Sequence, residues 1–230
     1  MRRKKLIINA IIMTFSTIIF GFISMFFRVY LSKKIGPEGM GLYQLIMSVY
    51  IMAVTFSSAG IRIAITRLVA EQVGKGNNKG IRTIVNKGCI YSLFFSIVTS
   101  IVLFYGAEYI GNVFLKDARS VLSLKILAYS LPFIGISSCL SGYFYGAREV
   151  VKSVSAEILE HLLMMAISIA AITIFVDTNI ENICALICVG MAVGNIVSCI
   201  YAYILCALKT RPLSRTVCCS NYNECRISDI

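Results

Sequence analysis

Six stretches with few or no charges, each 20 residues or longer, dominate this 230-residue chain. The hydrocarbon core of a bilayer is about 30 Å thick, and a helix rising about 1.5 Å per residue crosses it in about 20 residues. Inside lipid the backbone finds no water, so a spanning segment must satisfy its own N–H and C=O groups as a helix or within a closed barrel. A barrel strand needs only about 10 residues, so runs of this length read as helices. They cover about 6–27, 42–69, 89–110, 121–145, 154–176 and 183–208. The second is apolar from Leu42 to Ile61 and continues as a more polar helix through Val69. The expected fold class is all-α: a polytopic membrane protein with six transmembrane helices.

Composition closes off the alternatives. Hydrophobic residues make up 58% and charged residues 14% of the chain, where soluble domains carry about a quarter charged. What remains between the runs is too short for a separate soluble catalytic domain. The first run follows Met1-Arg-Arg-Lys-Lys5 and ends in the bulky Met25-Phe-Phe27, unlike a signal peptide with its small-residue cleavage site. Residues 209–230 are expected to form a polar, disordered cytoplasmic tail.

Orientation follows from Lys and Arg, which gather on the cytoplasmic side of membrane spans. With the N-terminus inside, 15 of the 22 basic residues fall on the cytoplasmic side and 6 on the other, while Arg62 lies within the second span. The expectation is N-in and C-in, in the plasma membrane. The net charge of +11 then faces anionic headgroups. No basic run is interleaved with aromatics as a nucleic-acid stacking platform requires, so nucleic acid is not expected as a partner.

Ionisable groups in or beside the spans are costly unless they meet a cavity or a partner. Arg28 ends the first span. Arg62 and Arg67 follow the Ser57-Ser-Ala-Gly60 stretch, whose small residues weaken a helix. Lys125 begins the fourth span. Glu157, Glu160 and His161 share one helix face at spacings of three and four. The plain reading is that Arg28, Arg67 and Lys125 snorkel to headgroups, and that the two glutamates pair with Arg148, Lys152 or lipid amines. The functional reading is that the arginines hold phosphate by charge-assisted bonds and the carboxylates titrate or bind a cation. Glu157-Ile-Leu-Glu-His161 has no distal partner ligand, so no metal is expected.

Of nine cysteines, Cys184, Cys188, Cys199 and Cys206 form one stripe on the sixth span, more in keeping with helix packing than with redox chemistry. Gly190 and Gly194 form a GxxxG, and Ser138, Gly142 and Gly146 repeat its spacing; both allow close backbone approach. Pro132 is expected to kink the fourth span. Gly74-Lys-Gly-Asn-Asn-Lys-Gly80 lacks the Lys-Ser/Thr ending of a phosphate-binding loop and reads as a solvated turn. No nucleophile set is visible, so neither enzymatic activity nor a cofactor is expected.

Three stretches together resemble the polysaccharide and lipid-linked oligosaccharide flippase branch of the multidrug/oligosaccharidyl-lipid/polysaccharide exporter superfamily, and within it the stage V sporulation protein B group. They are Phe27-Arg-Val-Tyr-Leu-Ser-Lys-Lys-Ile-Gly-Pro-Glu-Gly-Met-Gly-Leu-Tyr-Gln44; Gly60-Ile-Arg-Ile-Ala-Ile-Thr-Arg-Leu-Val-Ala-Glu71; and Gly142-Tyr-Phe-Tyr-Gly146 followed by Glu157 and Glu160. Two departures stand out: Arg62 takes the place of the family's usual proline, and His161 the place of a glutamine. The resemblance implies the six spans form one lobe of a two-lobed, MATE-like exporter fold. It implies flipping of a lipid-linked oligosaccharide, such as a polysaccharide or peptidoglycan precursor, by alternating access. Arg28 and Arg62 would then be the cavity residues for the diphosphate, and Glu157 and Glu160 the coupling or gating residues. The expected partners are that substrate, membrane lipids, and either a second lobe or a homodimer partner. The length is expected to reflect a truncated product of a longer gene, ahead of a half-transporter that dimerises. A drug/cation antiporter of the same superfamily and a non-transporting membrane scaffold are the alternatives.

Overall fold

The computed structural model describes residues 2–58, 60–76, 78–174 and 180–224. The elements are α1 (Arg2–Ser58), α2 (Ile61–Lys75), α3 (Asn78–Tyr109), α4 (Ser120–Gly146), α5 (Val150–Ile174) and α6 (Ile180–Glu224), with a π turn, Ile110–Phe114, closing α3. No strand occurs among the described residues, and the all-α expectation holds.

Five helical stretches are long and apolar enough to cross a membrane, and the first, Ile11–Lys75, contains two of the six expected spans. This stretch is not one rod. Gly36 has φ 77° and ψ 177°, a left-handed φ that glycine adopts at little cost and most L-residues avoid. Pro37 follows, where the first turn of a new helical arm has no use for the missing N–H. The second break falls where the sequence is weakest: α1 stops at Ser58, Gly60 has φ 71°, and α2 restarts at Ile61. Helix extends beyond the apolar runs at two other places. The polar turns before Cys89 belong to α3, and α6 continues past Leu208 to Glu224.

α4 and α6 form the centre of the bundle. About 44% and 56% of their most apolar windows are buried, against 6% in the first stretch. One core cluster gathers Leu31, Ile46, Leu124, Leu131, Cys184 and Ile187 from α1, α4 and α6. A second gathers Ile65, Val69, Val85, Phe144 and Cys206 from α2, α3, α4 and α6. The large exposed side chains are apolar: Phe15, Phe22 and Phe26 on α1, and Ile90, Phe94 and Val102 on α3. That surface suits a lipid solvent. The cysteine stripe of α6 is buried along its length.

Small and hydroxyl side chains set the helix contacts. Ser57 Oγ donates to Ser96 Oγ at 2.7 Å, and Ser92 Oγ to the Gly135 carbonyl at 2.5 Å. A Cβ at Gly135 would overlap Ser96. α4 passes through Pro132 as one continuous helix. Proline cannot bond the carbonyl four residues earlier, which here is Ala128. Ser100 Oγ from α3 donates to that carbonyl at 2.7 Å, so the neighbouring helix satisfies the group that the proline leaves without its helical partner.

Candidate functional site

Between the two core clusters lies a cavity of about 230 Å³ lined by side chains of α1, α2, α4, α5 and α6. Val54, Ile134, Met164 and Met191 form its apolar wall, and Tyr50, Arg62, Glu157, Glu160 and Asn195 its polar one, with Ser137, Ser138 and Ser141 between. Three ionisable side chains thus converge from two helices that are far apart in sequence.

Local geometry explains each placement. α2 buries Ile61, Ile65 and Val69, a stripe at spacings of four, which leaves Arg62 about 100° off that stripe and at the cavity. Glu157 and Glu160 lie three apart on α5 and share a face. Glu160 stands ten residues after Val150, about 15 Å along the axis, too deep for a short carboxylate to reach headgroups. Arg62 lies within electrostatic range of both glutamates. Tyr145 donates its hydroxyl to Glu157 Oε1 at 3.4 Å. Lys152 pairs with Glu149 at 2.9 Å and is not what holds Glu157 or Glu160.

The glycine motifs hold these charged helices in place. A Cβ at Gly142 would stand 2.8 Å from the Arg62 carbonyl, and one at Gly146 2.8 Å from that of Thr66. Thr66 Oγ1 donates to the Arg62 carbonyl at 2.7 Å and to the Gly142 carbonyl at 3.1 Å. On the other side, a Cβ at Gly194 would stand 3.1 Å from the Glu160 carbonyl, and one at Gly190 3.0 Å from Ser168 Oγ. α4 therefore grips α2, and α6 grips α5.

The residues missed from sequence are neutral. Asn195 Nδ2 donates to the Tyr50 hydroxyl at 3.0 Å. Tyr50 lies 3.2 Å from Ser130 Oγ, whose proton goes to the Leu127 carbonyl at 2.8 Å. Since Ser130 has one proton to give, Tyr50 is the donor to Ser130. Asn195 carried a signal, a carboxamide in an otherwise apolar run. Tyr50 carried none.

Arg28 does not line the cavity. It is exposed on the first arm of α1, within electrostatic range of Tyr43. Lys125 pairs with Glu108 at 2.7 Å, and Arg119 bridges Glu38 at 3.0 Å and Asp117 at 3.1 Å. The His161 ring packs 5.0 Å from that of Phe20. Among the described residues no His, Cys, Asp and Glu side chains gather as metal ligands would.

Chemically, the cavity holds one guanidinium and two carboxyl groups. Arg62 makes no ion pair with either carboxylate among the described residues and acts on both through space, so either carboxyl can take a proton or a cation. Ionisable groups within a membrane bundle are costly unless they meet a cavity or a partner, and here three line one cavity.

Fold and cavity together define a multi-pass membrane protein with a polar chamber inside its helix bundle. The chain belongs to the polysaccharide biosynthesis protein family, whose model matches residues 6–220, within the exporter superfamily that the three sequence stretches resemble. It is 27% identical to stage V sporulation protein B of Bacillus subtilis over 77% of this chain and 34% of that protein. It is 30% identical to the probable multidrug resistance protein NorM of Thermotoga maritima over 40% of this chain and 21% of that one. The lipid II flippase MurJ of Bacillus subtilis is 20% identical over 82% of this chain and 36% of MurJ. The chain thus spans about a third of the length of the first of these relatives. No solved structure gives a significant match.

Proposed function

We propose that the chain supplies one lobe of a flippase for a lipid-linked oligosaccharide, a lipid carrying a sugar on a diphosphate. The observation that carries this reading is the cavity that joins Arg62 to Glu157 and Glu160, in a chain related to a lipid II flippase. Arg28 has no ion pair among the described residues, so its guanidinium is open to phosphate oxygens. Arg62 lies within electrostatic range of Glu157 and Glu160 and acts as their exchangeable partner. A diphosphate that approaches Arg62 competes with Glu157 and Glu160, and the displaced carboxylate takes up a proton or cation. Substrate and coupling ion then share one site, and their binding is linked.

The test is flipping of a fluorescent diphosphate-linked lipid in proteoliposomes, with this chain and with a longer relative carrying the matching changes. Arg28→Ala and Arg62→Ala each reduce flipping at least tenfold, and Glu157→Gln with Glu160→Gln removes its dependence on an ion gradient. Unchanged transport in the arginine variants rules out the phosphate role.

One observation favours a second reading, a drug/cation antiporter: the cavity holds two carboxyl groups to one guanidinium. Competition decides between them. A cationic dye that blocks flipping where a lipid-linked sugar does not supports the antiporter.

A further inference from the structure

A second cavity, of about 350 Å³, lies between α3, α4 and α6 and shares no lining residue with the first. Its α3 wall is two adjacent stripes at spacings of four: Ile81, Val85 and Cys89 towards the bundle, and Arg82, Asn86 and Ile90 at the cavity's exposed edge. The second stripe crosses the point where the sequence changes from the polar Asn78–Gly88 turns to the apolar run beginning at Cys89. One end of the cavity is therefore polar and at the membrane interface, and the other is in hydrocarbon. Leu140 and Tyr143 of α4 and Tyr203 of α6 form the facing wall. Tyr203 is 63% exposed and sits where an amphipathic ring is favoured, at the boundary of lipid and water.

Arg82 and Asn86 are exposed and make no hydrogen bond or ion pair among the described residues, beside a floor of buried side chains, Val85, Leu140 and Tyr143. A guanidinium with five donors and a carboxamide one turn away present a matched surface to a phosphodiester. The charge count assigns this end to the cytoplasmic side, where anionic lipid is enriched. We propose that this cavity is a binding site for an anionic glycerophospholipid, with its phosphate on Arg82 and Asn86 and an acyl chain along Ile90, Leu140 and Tyr203. A volume near the lower end of the usual range for ligand cavities, about 300–1,000 Å³, suits one chain and the phosphate.

Native mass spectrometry of the purified chain, loaded with equal amounts of phosphatidylglycerol and phosphatidylethanolamine, tests this. The chain retains phosphatidylglycerol over phosphatidylethanolamine. Arg82→Gln lowers that retention about fivefold, the effect of one interfacial cation, while Arg67→Gln, on the exposed face of α2, changes it less than twofold. Inorganic phosphate at millimolar concentration leaves the lipid bound. Equal retention of the two lipids, full retention in Arg82→Gln, or displacement by inorganic phosphate overturns the proposal. Arg82 is exposed, so the variant keeps the wild-type melting temperature; a lowered one, with retention lost for phosphatidylethanolamine as well, also counts against it.

Discussion

Replacing Gly142 by alanine tests whether the arginine-bearing helix is set by close backbone approach. The new Cβ would stand 2.8 Å from the Arg62 carbonyl and 3.2 Å from Ile65 Cβ, where a carbon–oxygen contact needs about 3.3 Å or more. Both obstacles are fixed to the backbone, so no rotamer relieves them and α2 must move outward by roughly half an ångström. Overpacking of this kind costs about 1–3 kcal/mol. Alanine returns about 0.5–1 kcal/mol of helix preference over glycine, leaving a net loss between zero and about 2.5 kcal/mol. At Gly21 nothing lies within 4 Å, so the gain alone operates and the sign reverses. The chain has no tryptophan, but five buried thiols, Cys139, Cys184, Cys188, Cys199 and Cys206, report unfolding to a thiol-reactive fluorogenic dye. At about 2–4 °C per kcal/mol for a chain of this size, Gly142→Ala melts up to about 10 °C below wild type. Gly21→Ala melts at or above it. A Gly142→Ala protein as stable as Gly21→Ala refutes the idea that α4 fixes Arg62 by contact.

The same dye assay checks two further expectations, and thermal melts followed by circular dichroism, which needs no reactive thiolate in acid, check a third. Ser100→Ala orphans the Ala128 carbonyl and costs about 0.6–1.7 kcal/mol, the range for hydrogen bonds between membrane helices. In a Pro132→Ala background, where residue 132 regains its N–H, the cost falls to near zero, and additive effects would exclude the pairing. Tyr50→Phe strands the buried Asn195 amide and costs about 1–3 kcal/mol; adding Asn195→Leu recovers part of that loss, and no recovery argues against the chain from Asn195 to Ser130. The hydrogen bond from Arg119, helped by its charge, holds the Asp117 carboxyl below the ordinary carboxylate range. Its small contribution, under about 1 kcal/mol for an exposed pair, is therefore complete at neutral pH. It shrinks as pH falls below about 3.9 and vanishes beneath the lowered folded value. Asp117→Asn thus differs from wild type at pH 7 and matches it in strong acid, and a gap that widens in acid contradicts this sign.

What the sequence discloses and what it hides divide along a physical line. Spans are legible because lipid forces each one to be a long apolar helix. The face shared by Glu157 and Glu160, the buried cysteine stripe of α6 and the glycine spacings are legible because they depend only on helical periodicity. Helix beyond the lipid is not: the first turns of α3 are polar yet helical, since helix needs local hydrogen bonds and not hydrophobicity. The reversal at Gly36 is hidden too, because a glycine before a proline signals a turn without fixing its backbone angles. The meeting of Arg62 with Glu157 depends on how α2 packs on α4 and α5 on α6, and no local spacing encodes that. Arg28, grouped with Arg62 by its charge and by the family resemblance, does not line the cavity that Arg62 does.

The two glycine motifs give that meeting a mechanical meaning. Arg62 belongs to a pair of helices, α2 and α4, joined by Gly142, Gly146 and the Thr66 hydroxyl. Glu160 belongs to another, α5 and α6, joined by Gly190, Gly194 and the bond from Ser198 Oγ to the Ala156 carbonyl at 3.0 Å. Within each pair, contact is backbone to backbone and resists displacement. Met164 and Met191 border the cavity on the α5–α6 side, and methionine adapts to changes in shape. α4 and α6 also pack on each other through the first core cluster, so the two pairs are joined at the centre of the bundle, and what the cavity leaves adjustable is the distance from Arg62 to the glutamates. A charge that binds in the cavity can change that distance only as far as its affinity differs between the two arrangements. In the proposed flippase reading, competition between a phosphate and Glu157 for Arg62 would supply a difference of that kind.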